Sequence, residues 1–140
     1  PFPDVAIVHN GQITDYYSWR DRLQRMGYRF LTWNDSELIA VWVSDRMKQG
    51  LSMQQALTRS IDEIDGVFTY MIATPGAIGF AKDRFAMKPL VVIDRNGEIA
   101  AGTEEQAVRR VYREDDVEII NHDGPSLFGI WGVGNRRLAA

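Results

Sequence analysis

The sequence predicts an α+β fold in which helices pack against an antiparallel sheet. Three observations support this prediction. Apolar residues recur at helical spacing through residues 14–64, and short apolar runs separated by turn signals follow from residue 66 onward. The composition, 45% hydrophobic and 25% charged, is that of an ordinary globular protein, and 140 residues suffice for one domain or most of one.

The first predicted elements are a strand and a helix. Residues 4–9 form an apolar run typical of a buried strand, and Asn10-Gly11 after it is a turn signal. Thr14 is placed to cap a helix that extends to about Met26, and Gly27 is placed to end it. The apolar side chains of this helix share one face: Tyr16, Trp19, Leu23 and Met26.

A short strand over residues 28–32 and two further helices are predicted next. Asn34 can cap the second helix with Glu37 at the capping-box position, and the apolar residues that follow surround this helix, so it should be deeply packed. Ser52 and Gln55 form the same pattern before a third helix. The buried face of that helix is predicted to comprise Met53, Ala56, Leu57, Ser60, Ile61 and Ile64.

The second half of the chain is predicted to be mainly strands. Asn96-Gly97 is a hairpin signal, and a short helix is expected over residues 104–112. The predicted strands span residues 66–73, 78–81, 90–93, 98–101, 117–121 and 126–131.

Composition argues against several classes of function. The net charge of −3 is small and its signs are interspersed, which is unlike a nucleic-acid-binding surface. No run of 18 apolar residues indicates a membrane span, and without cysteine there is neither a disulfide framework nor a thiolate metal site, which favours the cytoplasm. His9 and His122 lack metal-ligand spacing, and no phosphate-binding glycine loop appears, so no metal or cofactor is predicted.

Two short signals point to chemistry. Asn10 offers a side-chain amide and Gly11 an unhindered backbone N–H, and fixed donors of this kind can each stabilise an oxyanion by roughly 3 kcal/mol. Asp35 lies in the first turn of the second predicted helix, where it could accept the α-ammonium group of an amino acid. The simpler alternatives are an ordinary turn at Asn10-Gly11 and a carboxylate that complements the helix dipole at Asp35.

Six segments in this order and spacing resemble the class II glutamine amidotransferase domain of the N-terminal-nucleophile hydrolase superfamily. Within that family the chain looks most like the amidotransferase subunits of glutamate-synthase-type and N-methylglutamate-synthase-type complexes. The similarity covers residues 5–108. Its segments are His9-Asn10-Gly11-Gln12-Ile13-Thr14, Trp19-Arg20 with Leu23 and Gly27, Phe30-Leu31-Thr32 with Asp35-Ser36-Glu37, Asp65-Gly66-Val67-Phe68, Ala81-Lys82-Asp83-Arg84 with Lys88-Pro89-Leu90, and Thr103-Glu104-Glu105-Gln106-Ala107.

The resemblance implies a four-layer αββα sandwich that hydrolyses glutamine to glutamate and ammonia for a partner synthase domain or subunit, in a hetero-oligomer. In the family an N-terminal cysteine attacks the side-chain amide and its own α-amino group is the base. By position, Asn10 and Gly11 would form the oxyanion hole, and Asp35 together with His9 would bind the substrate. The motifs containing Asp83, Lys88 and Glu104 would be structural supports.

The chain departs from the family pattern because it contains no cysteine and has few residues before Asn10. Residues 1–140 therefore resemble a partial domain that lacks its N-terminal strands, with the nucleophile expected on an upstream segment or another chain. Two other hypotheses stay open. The chain could be a non-catalytic module that binds an amino acid or scaffolds a synthase complex, or Pro1 could act as an N-terminal amine in another class of enzyme.

Overall fold

The computed structural model of the protein describes residues 4–95, 98–112, 118–132 and 137–139. Helices dominate the first half of these residues and strands the second, as predicted. The elements are β1 (Ala6–Ile13), α1 (Tyr16–Arg25), α2 (Asp35–Lys48), α3 (Met53–Glu63), β2 (Gly66–Thr74), β3 (Ala77–Lys82), β4 (Val91–Arg95), β5 (Glu98–Gly102), α4 (Glu105–Tyr112), β6 (Ile120–Asn121), β7 (Phe128–Gly132) and β8 (Arg137–Ala139).

The elements form four layers. A five-stranded antiparallel sheet in the order β1-β2-β3-β7-β8 carries α1, α2 and α3 on one face, where most of the buried apolar side chains lie. A second sheet, in the order β5-β4-β6, packs on its other face through a cluster that includes Phe80, Val92 and Trp131. Helix α4 covers the outer face of the second sheet through Val108. The predicted αββα sandwich is therefore confirmed.

Helices α2 and α3 follow their sequence patterns closely. The capping box of α3 is complete, because Ser52 accepts a hydrogen bond from Gln55 N–H and Gln55 accepts one from Ser52 N–H. The predicted face of α3 is buried as a whole. In α2, Trp42 is fully buried and its ring meets Trp19 of α1 edge-to-face, with centroids 6.1 Å apart. The ring contact joins α1 to α2, and the buried face of α3 packs against the sheet.

The expectation of a buried strand ending in a turn at Asn10-Gly11 is wrong. Strand β1 runs through both residues to Ile13 and pairs with β2 along its whole length. It is covered on one face only, since Ile7 and Ile13 pack toward the helices whereas Val8, on the other face, is 67% exposed. A continuous partner strand thus overrides the local turn preference of Asn-Gly.

The predicted strand over residues 28–32 is also wrong. Instead of pairing with a strand, the end of this segment forms hydrogen bonds between its backbone and side chains. The carboxylate of Glu37 accepts hydrogen bonds from the N–H groups of Leu31 and Thr32, and Arg20 donates to the Thr32 carbonyl oxygen. Glu37 is therefore not the second half of a capping box, although Asn34 does cap α2 by accepting from Ser36 N–H.

Three smaller differences remain. The N-cap position of α1 is held by Asp15, without a side-chain capping hydrogen bond, rather than by Thr14, whose N–H donates to the Asp65 carbonyl oxygen 2.8 Å away. Strand β8 has no counterpart in the sequence prediction. The Asn96-Gly97 turn and Val117 lie outside the described residues, but β4 and β5 pair antiparallel up to both sides of that turn.

Gly11 should be the least replaceable glycine of the helix-bearing sheet. Its φ is +145°, and a Cβ there would lie 1.9 Å from the Val67 carbonyl oxygen. Gly11→Ala should therefore destabilise the domain by about 3 kcal/mol or more, from backbone strain and overpacking together. Urea unfolding of the complete protein would measure this.

Gly27→Ala is the matched control, because Gly27 has a φ of +94° but open space around it. It should cost only about 1–2 kcal/mol. Equal losses in the two variants would contradict the close approach of Gly11 to β2.

Candidate active site

Asp35 lies where α2 meets β1. As the first residue of α2 it occupies the positive end of the helix dipole, which stabilises a carboxylate. Its Oδ2 accepts a hydrogen bond from Ile13 N–H at 3.3 Å, and its Oδ1 is 3.4 Å from Nδ1 of His9. The side chain remains 27% exposed. Asp35 is thus held against β1 and still reaches solvent.

The His9 ring fills the space between β1 and the start of α2. Its side chain is only 2% exposed, and Nδ1 also lies 3.2 Å from Ser36 Oγ. Nε2 is buried, with no hydrogen-bond partner among the described residues. Burial lowers the pKa of His9, and the opposing charge and hydrogen bond of Asp35 do not restore it to its usual value. The neutral ring with Nδ1–H as the donor fits these contacts.

The structure brings His9 and Asp35 together and leaves Asn10 apart from them. Because side chains alternate along a strand, Asn10 leaves β1 on the face opposite His9, where it is exposed. Gly11, two residues after His9, returns to the face of His9 and carries no side chain. Three of the four candidate residues therefore belong to β1, with the Asp35 carboxylate of α2 beside one face of the strand and the Asn10 amide on the other.

A cleft of about 660 Å³ opens beside Asp35. Its walls are the end of β1 at residues 12–14, the first turn of α1 at Tyr16 and Tyr17, and residues 32–35. Tyr17 and Trp33 are both 75% exposed. The cleft therefore combines one carboxylate with aromatic surface, a lining suited to a small cationic or zwitterionic ligand.

Arg20 and Glu37 build the wall formed by the segment between α1 and α2. Arg20 is 6% exposed and donates hydrogen bonds to the Tyr16 hydroxyl and the Thr32 carbonyl oxygen, both at 2.7 Å. Its guanidinium group lies 4.2 Å from the ring centroid of Trp33. The sequence patterns do not assign Arg20 or Trp33 to this site. The one sequence signal that includes either residue is the Trp19-Arg20 pair of the family motif.

A second set of buried charges supports β2 opposite Gly11. Phe68 pairs with Gly11 across the sheet, and its N–H donates to Asp83 Oδ2 at 2.6 Å. The other oxygen of Asp83 accepts from the N–H groups of Phe85 and Ala86. The neighbouring Lys82 is fully buried and donates to the His122 carbonyl oxygen, and burial lowers its pKa although nearby carboxylates oppose this.

Two antiparallel sheets packed face to face, with helices on their outer faces, form the αββα fold found in solved glutamine amidotransferases. The structure superposes on B. subtilis glutamine phosphoribosylpyrophosphate amidotransferase, solved with ADP and GMP, with a TM-score of 0.75 over 99% of this chain and 30% of that one. Sequence identity is 17%, so this likeness concerns the fold alone.

The sequence comparison is more specific. Residues 2–110 match the model of the glutamine amidotransferase domain, and the chain belongs to that family. It is 40% identical over 119 residues to a Methanothermobacter thermautotrophicus protein provisionally named a glutamine amidotransferase, covering 85% of this chain and 39% of that protein. It is 35% identical over 105 residues to the glutamine amidotransferase-like protein GlxB of Rhizobium meliloti, covering 75% of this chain.

The chain thus spans less than two fifths of these two relatives, with coverage of 39% and 35% of their lengths. Within the described ranges, no helix is long and apolar enough to cross a membrane. The same ranges hold no group of three or more acidic, histidine or cysteine side chains that could bind a metal ion.

Glu37 should stabilise the domain in a pH-dependent way. Burial by itself raises its pKa, but hydrogen bonds from Leu31 and Thr32 and the charge of Arg20 outweigh it and hold the pKa below its ordinary 4.5. A lowered folded-state pKa stabilises the fold above the unfolded value and loses that effect as the pH falls through the folded value. Glu37→Gln should therefore cost roughly 1 kcal/mol at pH 7, with the difference from wild type vanishing below the folded pKa.

Urea midpoints at pH 7, 5, 4 and 3 would measure this difference. Glu105→Gln is the control, because it removes only an exposed ion pair with Arg109 one helical turn away and should cost about 0.5 kcal/mol or less. A Glu37→Gln penalty that grew on acidification would contradict the assigned pKa direction.

Proposed function

We propose that this chain is part of the glutaminase domain of a class II amidotransferase and that it contributes the oxyanion hole and the substrate ammonium site. The observation that carries the proposal is the anchoring of Asp35 to β1, the strand that also bears Asn10 and Gly11. The donors proposed for the oxyanion are part of β1, and the carboxylate proposed for the ammonium group is fixed to the same strand from α2 by a hydrogen bond.

Each proposed role follows from the chemistry of glutamine hydrolysis. A thiolate from residues outside this chain attacks the side-chain amide carbon, and the carbonyl oxygen becomes negatively charged. The Asn10 amide and the Gly11 backbone N–H donate to that oxygen. The α-amino group of the attacking cysteine, which has taken the thiol proton, passes it to the leaving nitrogen, and ammonia departs as the carbonyl re-forms in a thioester. Water then hydrolyses the thioester to glutamate and the free thiol. Asp35 accepts the α-ammonium of glutamine from the cleft and so selects an amino acid as substrate.

Released ammonia needs an acceptor, and a synthase domain or subunit is the proposed partner. We further propose a cytoplasmic hetero-oligomer, since ammonia must pass between sites before it is lost. The narrower likeness to glutamate-synthase-type and N-methylglutamate-synthase-type subunits stays a prediction, as does the treatment of residues 1–140 as one partial domain.

Loss of the Asn10 amide should affect the chemical step. In the complete protein, Asn10→Ala should lower kcat for glutamine hydrolysis by roughly 10²–10³-fold, because one oxyanion donor is removed. Glutamate release in a coupled assay would measure this. Gln24→Ala removes an exposed amide from α1 and should leave kcat unchanged. Unchanged turnover in Asn10→Ala would overturn the oxyanion-hole assignment, whereas absence of turnover in the unmodified protein would favour the non-catalytic, amino-acid-binding module.

Loss of the Asp35 charge should affect substrate binding. Asp35→Asn should raise KM for glutamine by about 10–100-fold, because a charge-assisted hydrogen bond to the ammonium group is replaced by a neutral contact. Steady-state kinetics on the complete protein would show this. Asp21→Asn, which removes an exposed carboxylate paired with Arg25, is the control. A KM that Asp35→Asn leaves unaltered would overturn the assignment of the ammonium site.

A further inference from the structure

We propose that His9 is a positioning residue that orients the carboxylate of Asp35 toward its ligand without touching the ligand itself. This inference rests on the proposed function, because it gives His9 a part in the ammonium site assigned there to Asp35. It rests on three features of the structure: the burial of the ring, the way both carboxylate oxygens are held, and the arrangement around Nδ1.

The burial of the ring excludes a direct role in the cleft. With a side chain 2% exposed, His9 presents no surface to a ligand, whereas Asp35 is 27% exposed and lines the cleft. The ring instead fills the space between β1 and α2. A residue in this position can influence a bound molecule only through the groups that it contacts.

Both oxygens of Asp35 are held from the β1 side. Ile13 N–H donates to Oδ2 at 3.3 Å, and His9 Nδ1 lies 3.4 Å from Oδ1. Because a carboxylate has about four lone-pair positions on its two oxygens, two such contacts leave acceptor capacity for an ammonium group in the cleft. Without His9, the Ile13 N–H is the one remaining hydrogen-bond donor among the described residues that limits rotation of the carboxylate about its terminal bond.

Nδ1 is the ring atom through which His9 contacts Asp35. Nδ1 faces both Asp35 Oδ1 and Ser36 Oγ, and Nε2 is buried with no hydrogen-bond partner among the described residues. A donor is therefore needed at the Nδ1 position and at no other point of the ring. This distinction can be tested, since the asparagine amide can stand near Nδ1 and the longer glutamine amide near Nε2.

The test compares His9→Asn with His9→Gln in the complete protein, on two substrates. One substrate is L-glutamine, and the other is glutaric acid monoamide, which is glutamine without its α-amino group. For glutamine, His9→Gln should raise KM about tenfold and change kcat by less than about twofold, whereas His9→Asn should stay within about threefold of the wild-type KM. For the monoamide, the two variants and wild type should have equal kcat/KM.

A double variant separates an effect through Asp35 from a general loss of structure. If His9 acts through Asp35, adding His9→Gln to Asp35→Asn should raise KM no further, because the oriented charge is already absent. Urea midpoints of His9→Asn and His9→Gln provide the matched stability measurement, since the two variants place the same polar group on stems that differ by one methylene.

Three results would overturn the inference alone while Asp35→Asn still raises KM. They are equal KM values for His9→Gln and wild type, equal losses on both substrates, and additive effects in the double variant. Absence of glutamine hydrolysis by the unmodified complete protein would overturn the proposed function together with this inference. The two failures are therefore distinguishable.

Discussion

The register between β1 and β2 is the constraint on which the candidate site depends. It is maintained at Gly11, where the Val67 carbonyl of β2 approaches so closely that no Cβ can be accommodated. On the other side of β2, Asp83 binds the N–H of Phe68, the residue paired with Gly11. A slip of one residue would exchange the two faces of β1, because side chains alternate along a strand. His9 would then leave Asp35, and Asn10 would point into the helix layer.

Two carboxylates at the start of α2 bind different parts of the chain. Asp35 faces β1 and the cleft, whereas Glu37 turns back to bind the backbone of residues 31 and 32. Both benefit from the positive end of the helix dipole, and the nearby Arg20 balances part of the Glu37 charge. The segment that carries Trp33 is thus ordered by side chains rather than by a sheet, and it can form a cleft wall without a neighbouring strand.

The predictions that succeeded and those that failed have different physical origins. Helices α2 and α3 were predictable because capping residues and apolar spacing act within a few residues of each other. The strand expected over residues 28–32 and the turn expected at Asn10-Gly11 failed because their backbone partners are distant in sequence. Arg20 and Glu37 form hydrogen bonds with the backbone of the first segment, and β2 pairs with the second. For the site, the sequence indicated Asp35 and Asn10 but gave no sign of the shared contact at Ser36.

The sequence by itself determined the α+β class, the family, the start of α2 and α3 at their capping residues, and the residue types available for chemistry. These depend on local interactions and on motifs that can be read along the chain. Only the tertiary structure decided that Asn10 and His9 lie on opposite faces of one edge strand, and that His9 contacts Asp35. It also decided that Glu37 accepts hydrogen bonds from the backbone of residues 31 and 32 instead of completing the capping box of α2. Such contacts join residues far apart in the chain, and their partners are set by sheet register and packing rather than by local preference.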